Sequence, residues 1–359
     1  MEWLYIARIV STFAVIVLHI SAYTVTQAEL GTFSWWAGNL YDSSVRWCVP
    51  VFIMISGALL LSPGRIENLS DFYKKRIGKI LVPLLFWSFF FISWSLFKAK
   101  LNGEGEGDIL KSVMNGRPYY HMWFLYMIIG LYMFTPLIRV LVANMSEERL
   151  LFFVFLMFVF CSLSDMYNFL IGNSDFLFVG EFIYYVPYYI CGHLIAKKHT
   201  SKHLSFYIFL FLISLSLTCI GYYLLSSFSG KEIGLYFYSY LSFNVIAMSI
   251  SVMWILKFTR LRKSHSNKLR FLSDVSLGIY LIHPVFIEVF YYLAARRWID
   301  YSIVSIPLMS MIVFACCVVS VFFIKKSPLL KTNCVIFGAS LRTGSQQCQG
   351  CNQAAARSR

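Results

Sequence analysis

Charge is scarce in this sequence. Asp, Glu, Lys and Arg make up 13% of its 359 residues and hydrophobic types make up 58%, whereas soluble domains carry about 25% charged residues. With a mean hydropathy of +0.67, a soluble globule is excluded and a polytopic membrane protein is expected. Acidic residues are rarer still, 17 against 31 Lys and Arg, for a net charge of +14. Loop cysteines are missing from the expected outer side: Cys48, Cys161, Cys191, Cys219, Cys316 and Cys317 fall inside apolar runs. There a thiol acts as a small hydrophobe, which excludes an external disulfide framework. Cys348 and Cys351 form a lone C-x-x-C without the second pair a zinc site needs, so no metal is expected. Internal repeats, a convincing cleavable signal and matched Gly/Pro-broken spans are also lacking, which weighs against a transporter built from inverted halves.

Ten apolar windows are present: Ile6–Thr24, Val45–Leu61, Ile80–Phe97, Trp123–Val142, Leu150–Leu163, Leu177–Ile195, Phe206–Leu225, Leu235–Leu256, Leu277–Ala294 and Ser302–Ile324. The fifth is short. With both termini placed in the cytoplasm, the inner segments hold 23 of the 31 Lys and Arg and the outer loops hold 8. That asymmetry is the positive-inside pattern. The expectation is therefore an all-α bundle of about ten transmembrane helices with both ends cytoplasmic. The basic excess then serves topology and contact with anionic membrane lipids, and no nucleic-acid partner is expected. Residues 1–326 form the transmembrane domain. The tail, 327–359, becomes rich in Ser, Gly, Gln, Ala and Arg from Thr332 without any period and reads as a disordered or non-native extension.

Arg8 and His19 stand eleven residues apart in the first window. That is about three turns, so both share one helix face roughly 16 Å apart, about half of a ~30 Å hydrocarbon core. A cation at the cytoplasmic mouth and a titratable imidazole near mid-membrane are costly there and read as functional. A histidine bonded to a neighbouring helix is the structural alternative.

A second group, Lys75, Arg76 and Lys79, opens the third window, with Arg76 and Lys79 three apart on one face. Arginine presents a planar fork to phosphate and lysine a point charge; the plainer reading is a headgroup anchor. His121 and Trp123 lie at the outer end of the fourth window, where Trp is common in interfacial belts and its face also suits a sugar ring. Ser276, Tyr280 and His283 fall four and three apart on one face of the ninth, with His283 expected in its inner half. Pro284 there frees a backbone carbonyl one turn back. An interhelical hydrogen-bond cluster is the alternative reading of that face. Glu181 and Glu288 sit in the outer parts of their windows, where a carboxylate can orient an imidazole or a sugar hydroxyl, or line a wet cavity.

Together these residues resemble the bacterial membrane acyltransferase-3 family. The resemblance runs through Arg8 and His19, Val49–Gly57, Phe72–Arg76 with Pro83, Trp123–Leu125 with Pro136, and Ser276, Tyr280 and His283, in the family's order. One departure is Lys79, where the family's basic motif has a second arginine; charge is kept and the bidentate fork is lost. The resemblance implies a multi-pass bacterial inner-membrane O-acetyltransferase. It would take acetyl groups from cytoplasmic acetyl-coenzyme A and deliver them to a hydroxyl of a surface glycan or lipid-linked glycan. N-acetylglucosamine residues of enterobacterial common antigen are one such acceptor, and glycan-assembly proteins would be partners. It would place His19 and His283 in catalysis, and Arg8, Lys75, Arg76 and Lys79 at the donor. His121, Trp123, Tyr280, Glu181 and Glu288 would meet the acceptor. The competing expectation is a transporter or flippase of a lipid-linked sugar, since such proteins also bury His and Glu near the midplane. A sensor or scaffold would leave the Arg8–His19 pair without a role.

Overall fold

The computed structural model describes residues 2–62, 68–103, 112–113, 115–171, 180–198, 203–259, 266–294 and 302–326. The tail with Cys348 and Cys351, and residues 177–179 of the sixth window, lie outside the described residues. The regular elements are helical throughout: α1 (Trp3–Gln27), α2 (Phe33–Val45), α3 (Cys48–Leu60), α4 (Leu69–Asn102), α5 (Trp123–Asn144), α6 (Glu147–Ile171), α7 (Glu181–Lys197), α8 (Leu204–Ser229), the short α9 (Lys231–Gly234), a 3-10 turn (Leu235–Tyr238), α10 (Phe243–Phe258), α11 (Ser266–Ala294) and α12 (Ser302–Lys326).

Among the described residues nine helical stretches are long and apolar enough to cross a membrane. The remaining candidate, α7, has 17 residues. It is about 25 Å long, a little under the ~30 Å core, and most of its side chains are buried in the bundle. The expected ten spans are thus nine plus this short interior helix. Several boundaries moved. The second window, Val45–Leu61, is α3, and α2 precedes it as a helix that the apolar windows did not include; between the two the Arg46 guanidinium pairs with Asp42 at 2.5 Å and the Trp47 indole N–H donates to the Ser44 carbonyl at 2.7 Å. The short fifth window is the 25-residue α6, its polar ends continuing the helix past the apolar run. The eighth begins as the 3-10 turn and becomes helical only at Phe243. The ninth starts eleven residues earlier, at Ser266, and His283 sits just past the midpoint of α11.

Local chemistry explains the helix ends. Thr32 caps α2, its hydroxyl accepting the Trp35 N–H, and Asn68 caps α4 by accepting the Ser70 N–H. Gly103, at φ +69°, ends α4 in the left-handed conformation that favours glycine.

The bundle has an inside and an outside. In the stretch 33–60, 72% of the most apolar window is buried, against 22% for α6 and for α8. Large apolar side chains such as Phe152, Phe155 and Phe160 stand exposed on α6, as expected of a lipid-facing helix. In α1, Ala7, Ser11, Ala14, Leu18, Ser21 and Val25 are all buried; their alternating four-and-three spacing is a heptad seam of mostly small residues that lets neighbours approach closely. That seam packs among α2, α3, α11 and α12. The tightest crossing joins α3 to α7. A Cβ at Gly57 would lie 1.8 Å from the Tyr189 carbonyl oxygen, and one at Gly192 would lie 2.0 Å from that of Met54. Main chain touches main chain there, and glycine is required on both sides.

Candidate functional site: two cavities and a histidine cluster

Arg8, on the second turn of α1, meets Arg76 and Lys79 near the start of α4, the stretch from Ser273 to Tyr280 on α11, and Lys325 at the end of α12 around a cavity of about 380 Å³. Four cations face one carboxylate, Asp274, so the cavity favours anions. The Arg8 guanidinium donates to the Ser273 hydroxyl at 3.3 Å, and the Lys325 ammonium donates to the Asp274 carbonyl at 3.2 Å. The guanidinium groups of Arg139 and Arg76 lie 4.8 and 5.9 Å from the ring centroid of buried Phe72, within reach of cation–π contact. Of the expected donor residues, Arg8, Arg76 and Lys79 line this cavity; Lys75 is exposed and does not.

Deeper in the bundle three histidines from three segments come together. His19 of α1 stacks on His283 of α11 at 5.2 Å between ring centroids. His121, just before α5, meets His283 edge-on at 5.3 Å. His121 and His283 are fully buried; His19 alone keeps part of its surface accessible. Pro284 orients His283. Having no N–H, it leaves the Tyr280 carbonyl without its helical donor, and the His283 Nδ1 takes that place at 2.6 Å. A carbonyl can only accept, so Nδ1 carries the hydrogen and Nε2 keeps the lone pair, buried without a hydrogen-bond partner. On α1, one residue beyond His19, the Ile20 carbonyl accepts the Tyr291 hydroxyl at 3.0 Å, tying α1 to α11 beside the cluster.

A second, larger cavity of about 950 Å³ is lined by Tyr120, Trp123, Tyr184, Tyr185 and Tyr240, with Arg117, Asp165, Glu181 and Glu232. The Trp123 ring lies 5.8 Å from both Tyr185 and Tyr240 and nearly parallel to the latter. Glu181 is paired with Arg117 at 3.0 Å.

Two tyrosines link these regions. Tyr280 lines the basic cavity while its ring sits 5.4 Å from His121 and 5.8 Å from His283. Tyr120 lines the aromatic cavity with its ring 4.7 Å from His19. The histidine cluster therefore touches a wall residue of each of two chambers of different chemistry, although none of its three rings lines either cavity.

The expected acceptor residues are divided among these places. Trp123 and Glu181 line the aromatic cavity, His121 is in the histidine cluster, Tyr280 borders the basic cavity, and Glu288 lines neither cavity. Tyr120, Asp165, Asp274 and Lys325 were not foreseen. Only Tyr120, next to His121 in sequence, carried a signal that could have found it. Among the described residues no group of three or more His, Cys, Asp and Glu side chains is arranged to hold a metal ion.

A family model described as an acyltransferase domain, that of the acyltransferase-3 family, matches residues 1–325. No curated protein and no solved structure matches the chain.

Proposed function

The chain belongs to the acyltransferase-3 family of membrane acyltransferases, and we propose that it moves an acetyl group from acetyl-coenzyme A to a hydroxyl of a surface glycan or lipid-linked glycan. The observation that supports this reading is that His19, a partly accessible imidazole, contacts Tyr120 of the aromatic chamber and, through His283, Tyr280 of the cation-lined one. In this reading the basic cavity opens to the cytoplasm of a bacterial inner-membrane protein. Arg8, Arg76 and Lys79 hold the donor's phosphates at the mouth, since about 380 Å³ suits the narrow thioester arm better than the whole nucleotide. The aromatic cavity receives the sugar, with Trp123 as the face and Glu181 and Asp165 as hydroxyl partners. N-acetylglucosamine residues of enterobacterial common antigen are the first acceptor to test.

The chemistry balances with the groups present. A neutral His19 takes the proton of the acceptor hydroxyl as its oxygen attacks the thioester carbonyl. The carbon–sulfur bond breaks, and the departing thiolate takes the proton back from His19 as free thiol. His283, its hydrogen committed to the Tyr280 carbonyl, holds the His19 ring by stacking. A two-step route in which His19 itself carries the acetyl group balances equally, and mass spectrometry of a donor-only quench separates the two.

The test is transfer of label from acetyl-coenzyme A to the glycan fraction in purified proteoliposomes. Label in the glycan, absent from His19→Ala, is the expected result. Movement of an unmodified lipid-linked sugar without labelling would replace this reading with a transporter. Cysteines introduced at Asn68 and Ser112 check the sides: an impermeant reagent should reach position 112 in intact spheroplasts and position 68 only after opening them.

A further inference from the structure

We infer that Glu288 is a positioning residue that holds the Tyr119–His121 segment, and with it the histidine cluster, in register with α11. The Glu288 carboxylate accepts three donors from two directions. The Trp94 indole N–H reaches it at 2.7 Å and the Lys98 ammonium at 2.8 Å, both from α4. The Tyr119 hydroxyl donates to it from the segment that precedes α5. Lys98 also donates to the Tyr119 oxygen at 3.2 Å, closing the triangle.

Tyr119 is followed directly by Tyr120 and His121, the residues that touch His19 and His283. Its ring stacks on Phe91 at 4.4 Å, and Phe91 meets His121 edge-on at 5.0 Å. The same segment is gripped a second time, where the Tyr280 hydroxyl donates to the His121 carbonyl. Tyr280 and Glu288 are eight residues apart on α11, about 12 Å along the helix, with His283 between them. One helix therefore carries one histidine and holds the segment of another at two points, the His121 carbonyl and the Tyr119 hydroxyl. A carboxylate suits the task because it accepts from several donors at once and donates to none. Being outside both cavities, it acts through Tyr119 rather than on a substrate.

The inference rests on the acetyl-transfer reading for its kinetic readout, and the experiment keeps the two apart. Steady-state rates in proteoliposomes would compare the wild type with Glu288→Gln, Tyr119→Phe and the double variant. Glu147→Gln, which breaks the remote Glu147–Lys198 pair at 3.0 Å, serves as control. In Glu288→Gln, kcat should fall about tenfold or more with the KM of donor and acceptor unchanged. The double variant should be no worse than Glu288→Gln, as for two groups in one interaction. A raised acceptor KM with kcat intact, or losses that multiply in the double variant, would overturn the inference. Carbethoxylation of His121 by diethyl pyrocarbonate, mapped by mass spectrometry, needs no substrate. Its rate should rise several-fold in Glu288→Gln and stay unchanged in Glu147→Gln. An unaltered rate in Glu288→Gln would refute the clamp whatever the protein acts on, whereas a wild type that transfers no acetyl group would sink only the acetyl-transfer reading.

Discussion

The two cavities are built by opposite means. The smaller one gathers four cations from three helices around a single carboxylate; the larger one is walled by aromatic rings and holds three carboxylates against one arginine. A charged chamber attracts through long-range field and binds by ionic contact, whereas an aromatic one selects by shape, through ring faces that discriminate one planar or chair-like surface from another. The difference teaches that a molecule suited to one chamber is poorly suited to the other. Only the histidine cluster is common ground.

That contrast can be broken first at its shared point. His19→Ala should abolish transfer, a loss of about 10²–10⁴-fold or more for a missing general base, with membrane expression near normal because the fold holds His19 by ring contacts with Tyr120 and His283, a small part of the α1 interface. Retained turnover above a few per cent would remove His19 from the chemistry. Next, on the charged side, Arg8→Ala and Arg76→Ala should each raise the apparent KM for acetyl-coenzyme A by about tenfold and leave the acceptor KM alone, while Lys79→Arg should be tolerated. An Arg76→Ala variant with lowered kcat and unchanged donor KM would contradict a phosphate contact.

On the aromatic side, Trp123→Ala should raise the acceptor KM by several-fold, in keeping with about 0.5–1.5 kcal/mol for an aromatic contact, without touching the donor KM. Equal effects on both substrates would erase the division of labour between the chambers. The smallest effect is expected at Pro284→Ala. It restores an N–H that competes with His283 Nδ1 for the Tyr280 carbonyl, so kcat should drop about two- to fivefold while thermal stability holds or rises. A fall in stability with kcat unchanged would mean that the proline serves packing alone.

What could be read from the residues follows the rigidity of the helix. The Arg8–His19 spacing survives into the structure because α1 is unbroken from Trp3 to Gln27: Arg8 reaches the basic cavity and His19 the cluster. Pro284 was legible for the same reason, since its effect is confined to one turn. Tyr120 and His121 were harder, because they lie in a non-helical segment whose path is set by Glu288, Tyr280 and Phe91, and periodicity says nothing about such contacts. His121 and Glu288 therefore both read as groups near the acceptor, and the contacts that join them to His283 and Tyr119 were not legible. Apolar windows also misplaced the start of α11, where Lys268, Arg270 and Asp274 continue the helix beyond the apolar run.

The glycine crossing of α3 and α7 has a consequence for how such a protein can change. Helix α3 supplies Phe52, Ile55 and Ser56 to the basic cavity, and α7 supplies Glu181, Tyr184 and Tyr185 to the aromatic one. The ruler between them is main chain, Gly57 against Tyr189 and Gly192 against Met54, which side-chain replacement elsewhere does not lengthen. Tyr184 or Tyr185 can therefore be exchanged to reshape the aromatic cavity without moving the basic one or the distance between them. One frame can thus vary one chamber while the other stays the same, and Gly57 and Gly192 are the two positions where that freedom ends.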